Sequence, residues 1–316
     1  MEHTDSNYST KVAIVGTGFV GSSAAYAIML DGVASEIALI DKKKEIAEGH
    51  ALDFMHGMQF TKSTKIVASD SFELVKDAQI VVLTAGISQK IGQTREELLD
   101  ANVKIFKEII PQVVKYNKKC ILLVVTNPLD VMTYVTYKLS GFDSCRVFGT
   151  GTVLDTSRLR YLLGEELKVS PKDITAYILG EHGDSQFVWW SHANVAGIPI
   201  RKYISEDLLE KIHRKVKKSV YEVIKRKGAT YYAVAIVISK IVKAILLDQS
   251  RIFTVSNFLQ DYHGVNEVYL SIPTVVRQSG IYQRLEILLD KSEEKMFDNC
   301  VKKTKNIIEE AKKFGI

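Results

Sequence analysis

The sequence predicts an α/β protein: a doubly wound parallel sheet followed by a second, mixed α+β lobe. Three observations carry that prediction. Short apolar runs alternate with helical patterns through the first half of the chain. Most of the runs are near-continuously apolar, as parallel strands covered on both faces require. A glycine-rich turn, Gly16-Thr17-Gly18-Phe19-Val20-Gly21, separates the first run from the first helical pattern.

In chain order, residues 11–16, 36–41, 65–68, 79–84, 120–126 and 146–148 read as strands, with helical patterns at 19–30, 44–58 and 96–116. Past residue 150 the rhythm changes. Helices are expected at 152–166, 206–227 and 229–247, around strand-like segments at 174–179, 252–259 and 267–274. A charged helix over 285–313 closes the chain. No repeat, low-complexity stretch or Pro/Gly-rich linker intervenes, so two tightly joined domains are expected, residues 1–149 and 150–316.

Composition sets outer bounds. With 316 residues, 46% hydrophobic and 25% charged, the chain has the make-up of an ordinary soluble globular protein. A net charge of +5 is too small to imply nucleic-acid binding. The densest basic run, 211–227, is interleaved with Ile212, Val216, Val220, Val223 and Ile224 at helical spacing, which reads as one solvated helix face. Three widely spaced cysteines, Cys120, Cys145 and Cys300, exclude a disulfide framework and argue against a structural metal site. The polar N-terminus lacks the apolar stretch of a signal peptide, and no apolar run approaches a membrane span. A cytoplasmic protein without membrane or metal is expected.

The glycine turn gains weight from its setting. It follows an apolar strand and opens a helix rich in small residues, Ser22 to Ala25, and Asp41 lies 20 residues past Gly21 at the end of the next strand. Gly16 makes the turn, Gly18 admits the pyrophosphate to the backbone, and Gly21 lets helix and strand pack closely. Asp41 would accept the adenosine ribose hydroxyls and repel a 2′-phosphate, favouring NAD. The first domain is thus read as a Rossmann-type doubly wound parallel sheet that binds NAD, and the second as a mixed α+β catalytic domain.

Farther on, Leu179-Gly180-Glu181-His182-Gly183-Asp184-Ser185 sets an imidazole among glycines. Upstream, Asp155 and Arg158 are three apart in a helical pattern and share one face. A carboxylate to orient an imidazole and a guanidinium to grip an anion suit proton transfer on a small acid. A plain turn and an intrahelical ion pair fit the same residues equally well.

Gly16–Gly21, Asp41, Thr126-Asn127-Pro128, Asp155–Arg158 and Gly180-Glu181-His182-Gly183, in this order, resemble the L-lactate/malate dehydrogenase family, and the Leu179–Ser185 heptapeptide resembles its lactate branch. The resemblance implies NAD-dependent, reversible hydride transfer between NADH and pyruvate to give L-lactate. Malate or another 2-hydroxy acid is the alternative substrate. His182 matches the proton donor and acceptor, Asp155 its orienting carboxylate, and Arg158 the clamp on the substrate carboxylate. Arg95 matches a loop arginine that polarises the substrate carbonyl, and Asn127 a donor to the same oxygen. Gln89 matches the main specificity position and Thr230 a residue lining the side-chain pocket. Val20, Gly86, Val125, Asn127 and Thr150 match cofactor contacts. Residues 86–95 would form a closing lid.

The resemblance also implies a homo-oligomer, a tetramer or dimer. The pattern at 44–58 carries Ala47, Ala51, Leu52, Phe54, Met55 and Met58 over a broader arc than one sheet-facing stripe needs. In relatives activated by fructose 1,6-bisphosphate an arginine pairs with a histidine. Arg160 matches the arginine, but Thr175 stands in the histidine's place.

Overall fold

The computed structural model describes residues 10–87 and 95–316, with Arg95 described by its backbone alone. The first half runs β1 (Lys11–Val15), α1 (Phe19–Asp31), β2 (Glu36–Ile40), α2 (Lys44–His56), β3 (Lys65–Ser69), β4 (Ile80–Leu83), α3 (Arg95–Tyr116), β5 (Ile121–Val124), α4 (Leu129–Ser140) and β6 (Val147–Gly149). These six strands pair in parallel in the order β6-β5-β4-β1-β2-β3. Strand order therefore reverses between β4 and β1, opening a crevice at the carboxyl ends of the strands. Every residue of β4 and β5 is buried, which is why their sequences are unbroken apolar runs.

Two glycines shape the crevice. Gly16 has φ +95°, and a Cβ there would lie 2.5 Å from the Ala85 amide nitrogen. A Cβ on Gly21 would lie 1.9 Å from the Gly16 carbonyl oxygen, so only glycine lets α1 cross β1 this closely. Ala24, Ala25 and Ile28 continue the buried face of α1. The helix ends at Gly32, whose left-handed backbone returns its N–H to Ile28 and Met29.

The second half holds α5 (Val153–Leu167), β7 (Ile174–Thr175), β8 (Ile178–Leu179), β9 (Phe187–Val188), β10 (Asn194–Val195), β11 (Ile198–Pro199), α6 (Glu206–Lys227), α7 (Tyr232–Leu246), β12 (Arg251–Leu259), β13 (Val268–Arg277), β14 (Gly280–Arg284) and α8 (Lys291–Lys312). Its long strands extend the first sheet rather than forming a separate one. Ser256 of β12 pairs antiparallel with Gly149 of β6, and β13 and β14 follow outward, giving nine strands among the described residues.

Several expected elements are corrected. Segment 174–179 is two short strands in different sheets, because β7 pairs with β10 and β8 with β9. The last helix begins at Lys291, where Asp290 caps the Ser292 and Glu293 amides and Glu293 returns to the Asp290 amide. Strand β14 and helix α4 were not expected at all. Among the described residues no helix is long and apolar enough to cross a membrane.

Candidate active site

The carboxyl ends of the parallel strands gather the residues matched to the cofactor. Gly16 follows β1, Asp41 follows β2, Gly86 lies just past β4, Val125 follows β5 and Thr150 follows β6. Gly18 is the N-cap of α1, and Val20 lies in its first turn. The cap has no side-chain partner and the first turn carries no acid, so the amides at this helix start are left for an anionic ligand. A Cβ on Gly18 would meet nothing within 4 Å, which leaves open space above the loop.

Asp41 does more than the sequence pattern requires. Its Oδ2 accepts the Thr17 amide at 2.7 Å and the Thr17 hydroxyl at 3.1 Å, and its Oδ1 accepts the Lys43 amide at 3.0 Å. Oδ1 retains acceptor capacity for a ribose hydroxyl, since each carboxylate oxygen can take about two hydrogen bonds. The residues present therefore fit a dinucleotide: a free helix N-terminus, open space at Gly18 and an acid one strand away.

Helix α5 and the turn after β8 meet through Asp155 and His182. His182 Nδ1 donates to Asp155 Oδ2 at 2.7 Å, and Arg158 Nη1 donates to Asp155 Oδ1 at 2.8 Å. The side chain of Asp155 is 3% exposed and that of His182 26%, so the imidazole keeps part of its surface accessible while its partner is sealed. Burial alone would lower the His182 pKa. The charge and hydrogen bond of Asp155 outweigh it, aided by Asp130, and the imidazole is held above its ordinary value. Burial would likewise raise Asp155, but His182 and Arg158 hold it below the usual carboxylate range.

The turn carrying His182 is fixed from several sides. Gly180 and Ser271 of β13 exchange backbone hydrogen bonds at 2.9 Å. Glu181 accepts from the Ser185 amide and hydroxyl, Gln186 Nε2 donates to the Gly183 carbonyl, and Lys217 Nζ donates to that of Asp184. Cys300 Sγ of α8 donates to the Ser185 carbonyl at 3.0 Å.

Sequence reasoning missed Asp130. Its Oδ2 accepts the His182 amide at 2.7 Å and its Oδ1 the Ser256 hydroxyl at 2.5 Å. Its one sequence-level signal is an acid inside the otherwise apolar Leu129-Asp130-Val131-Met132. Asn102, fully buried on α3, was also missed. It accepts the Ile87 amide at 2.8 Å and donates to the Asn127 carbonyl at 2.7 Å, tying the segment after Gly86 to the loop before α4.

His182, Asp155 and Arg158 are thus brought into direct contact, and Asn127 lies three residues before Asp130 with its side chain exposed. Thr230 lies between α6 and α7, half-buried. Gln89 and the Arg95 side chain, with most of the lid, lie outside the described residues.

Comparison with known proteins places this geometry among relatives. The lactate/malate dehydrogenase NAD binding domain matches residues 10–149, and the alpha/beta C-terminal domain of the same family matches residues 152–315. An L-lactate dehydrogenase of Clostridium botulinum is 47% identical over 310 residues, covering 96% of this chain and 97% of that protein. L-lactate dehydrogenase 1 of Clostridium acetobutylicum is 45% identical over 308 residues, covering 95% and 98%. Among solved structures, a lactate dehydrogenase from a Medee basin deep-sea metagenome library superposes with a TM-score of 0.93 at 38% identity, covering 96% of this chain and 99% of that one. The minor L-lactate dehydrogenase of Enterococcus mundtii, in its ligand-bound form, gives 0.91 at 40%, covering 95% and 98%.

Proposed function

The chain belongs to the lactate/malate dehydrogenase family, and from that premise we propose that it interconverts pyruvate and L-lactate with NAD, using His182 as the proton donor and acceptor. The observation that carries this reading is the Asp155–His182–Arg158 contact set. A sealed carboxylate orients a half-open imidazole, and a guanidinium stands one helical turn along the same helix.

When bound, NADH supplies the hydride that reaches the carbonyl carbon of pyruvate. The carbonyl π pair then moves to oxygen, and charge builds where preorganised cations stabilise it most. Imidazolium His182, charged through Asp155, meets that oxygen and gives it the Nε2 proton. Asp155 stays ionised and keeps the proton on Nδ1, so the neutral imidazole left behind is the correct tautomer for the reverse reaction. Nη2 and Nε of Arg158 have no hydrogen-bond partner among the described residues, which leaves a donor edge for the substrate carboxylate. Arg95 polarises the carbonyl and Asn127 donates to it. Asp41, Gly16, Gly18, Val20, Gly21, Gly86, Val125 and Thr150 line the cofactor's path.

Gln89 and Thr230 set the preference for pyruvate, because neither offers a countercharge to a second carboxylate. The division into a cofactor domain over 1–149 and a catalytic domain over 150–316 belongs to the same reading, as do a cytoplasmic location and a role in fermentative glycolysis. So does a homotetramer. Ala47, Ala51 and Phe54 of α2 are buried against the sheet, while Ile46, Leu52 and Met55 of the same helix are exposed, beside Tyr26 and Leu30 of α1. Tyr26 packs on Phe54 with ring centroids 5.9 Å apart, and these exposed apolar side chains offer contact surface for a second copy. Following NADH oxidation with pyruvate and with oxaloacetate tests the reading. Faster turnover of oxaloacetate would overturn it.

A further inference from the structure

We propose that Asp130 is a positioning residue for the proton transfer: its buried carboxylate bridges the His182 amide and the Ser256 hydroxyl, fixing the catalytic turn against the sheet and lending negative charge to the imidazolium. The inference rests on the proton-transfer role given to His182.

The geometry is unusual for a carboxylate that only holds structure. Asp130 sits in the first turn of α4 and is 3% exposed, yet the helix does not use it as a cap. Both oxygens instead leave the helix. Oδ2 reaches the His182 amide, 52 residues away in sequence, and Oδ1 reaches Ser256 on β12, 126 residues away. One group thereby joins α4, the sheet and the turn that presents the imidazole.

A hydroxyl or an amide side chain could accept the same N–H without the desolvation cost of a buried charge. What a carboxylate adds is its charge, held at the backbone of the catalytic histidine. The charged groups facing His182 are Asp155 and Arg158 from α5 and Asp130 from α4. Those facing Asp130 are His182 and Glu181 from the turn, with Cys300 of α8 nearby and the Ser256 hydroxyl on β12. Arg158 opposes the imidazolium and the two acids favour it, so Asp130 reinforces Asp155.

Burial pushes Asp130 up to about 6, against the pull of Ser256 and His182. It is therefore charged at neutral pH and loses that charge in mild acid. Protonation keeps both hydrogen bonds, because the neutral acid still accepts from the amide and can donate to Ser256, a hydroxyl that works either way. Asp130→Asn imitates that state at every pH.

The test is an NMR titration of the His182 ring protons in wild type, Asp130→Asn and Ser256→Ala, which needs no substrate, alongside kcat/KM for pyruvate from pH 5.5 to 8.5. In Asp130→Asn the His182 pKa is expected to fall by about half a unit to one unit, the size of a neighbouring-charge effect in a partly desolvated site. Above the His182 pKa this lowers the imidazolium fraction, and kcat/KM, roughly three- to tenfold. The deficit should narrow through pH 6 and close below it, as wild-type Asp130 itself becomes neutral. Ser256→Ala keeps the carboxylate but removes a donor that favours its ionised form. It should move His182 in the same direction by less, and it decides the matter if the asparagine variant does not fold. An unchanged His182 titration in the folded variants, or a loss equal at pH 6 and pH 8, overturns the proposal. A shifted His182 titration in a protein that does not reduce pyruvate would leave this inference standing and sink the substrate reading instead.

Discussion

Arg158 and Asp155 form an ion pair at 2.8 Å within one turn of α5, through the carboxylate oxygen that His182 does not use. The acid is thus held between a permanent cation and a titrating one. Removing its charge should affect catalysis and stability together. Asp155→Asn is expected to lower the His182 pKa and reduce pyruvate turnover by roughly a hundredfold or more, because both tautomer and countercharge are lost. NADH binding should be nearly unchanged. Asp155 has a depressed pKa, so its stabilising contribution is full above its ordinary 3.8 and is lost as pH falls through its lower folded value. His182 has a raised pKa, so its contribution is full below its ordinary 6.5 and is lost as pH climbs through its folded value. The Tm deficit of the variant should therefore be largest between about pH 4 and 6.5 and shrink above it. A deficit that grows steadily toward pH 9 would contradict this pairing.

Gly18 offers a sharper test of the cofactor loop than its neighbours. Gly21→Ala would drive a methyl into the Gly16 carbonyl, so any loss of binding there mixes with misfolding. Gly18 has φ −66°, and an added methyl meets nothing within 4 Å in the chain itself. Gly18→Ala should fold with a Tm within about 2 °C of wild type, since a surface change without a new clash lies within about 0.5 kcal/mol. Its NADH affinity should still fall by roughly tenfold or more, because the methyl occupies the space a pyrophosphate needs. Calorimetric titration reads this directly. Wild-type affinity in the variant would mean that the phosphates do not approach Gly18.

Much of this was legible in the sequence because it is local. The glycine loop and Asp41 follow a fixed spacing, and the Asp155–Arg158 pair follows from three-residue separation on a helix. Helix α4 was not legible because it has no polar stripe. Asp130, Thr133, Thr136 and Ser140 are buried alongside its apolar residues. Thr133 and Thr136 satisfy themselves on the Leu129 and Met132 carbonyls at 2.7 Å, which removes the 3.6-residue pattern that marks a surface helix. Asp130 and Asn102 were missed for a different reason. Each gains its meaning from partners on other elements, and no local spacing encodes such contacts. The extension of the sheet by β12 to β14 depends on the single Ser256–Gly149 pairing across the two halves, which is equally remote in sequence.

Fructose 1,6-bisphosphate is expected to leave the enzyme unactivated. Arg160 Nε is committed to the Ala176 carbonyl at 2.9 Å, and its guanidinium lies over the Tyr177 ring. Thr175 is exposed on β7 and offers a hydroxyl where a cation would be needed to grip a phosphate. Adding the sugar phosphate at millimolar levels should change the KM for pyruvate by less than about twofold, since an unassisted surface charge contact contributes little. A tenfold fall in KM would show the expectation wrong. The cavity of about 260 Å³ that Arg160, Lys172 and Arg251 line would then be the place to look.

The preference for pyruvate over oxaloacetate should reverse in direction on a single change at Gln89. In the proposed complex the substrate's carboxylate is matched by Arg158, and the His182 imidazolium is matched by Asp155. Arg95 is assigned to the oxygen that gains charge, so none of these three cations is left over for a second carboxylate. Gln89 and Thr230 can hydrogen-bond one but not neutralise it. Burying an uncompensated charge costs several kcal/mol after relaxation, which corresponds to discrimination of about a hundredfold or more. Gln89→Arg supplies the missing countercharge in a fork that fits a carboxylate, whereas Gln89→Lys supplies charge without the fork. Arginine should therefore raise kcat/KM for oxaloacetate more than lysine does, and both should lower it for pyruvate. The measurement is kcat/KM for the two acids in wild type and both variants. Equal wild-type efficiencies would reject the charge argument, because an uncompensated carboxylate could not then be accepted as readily as a methyl group.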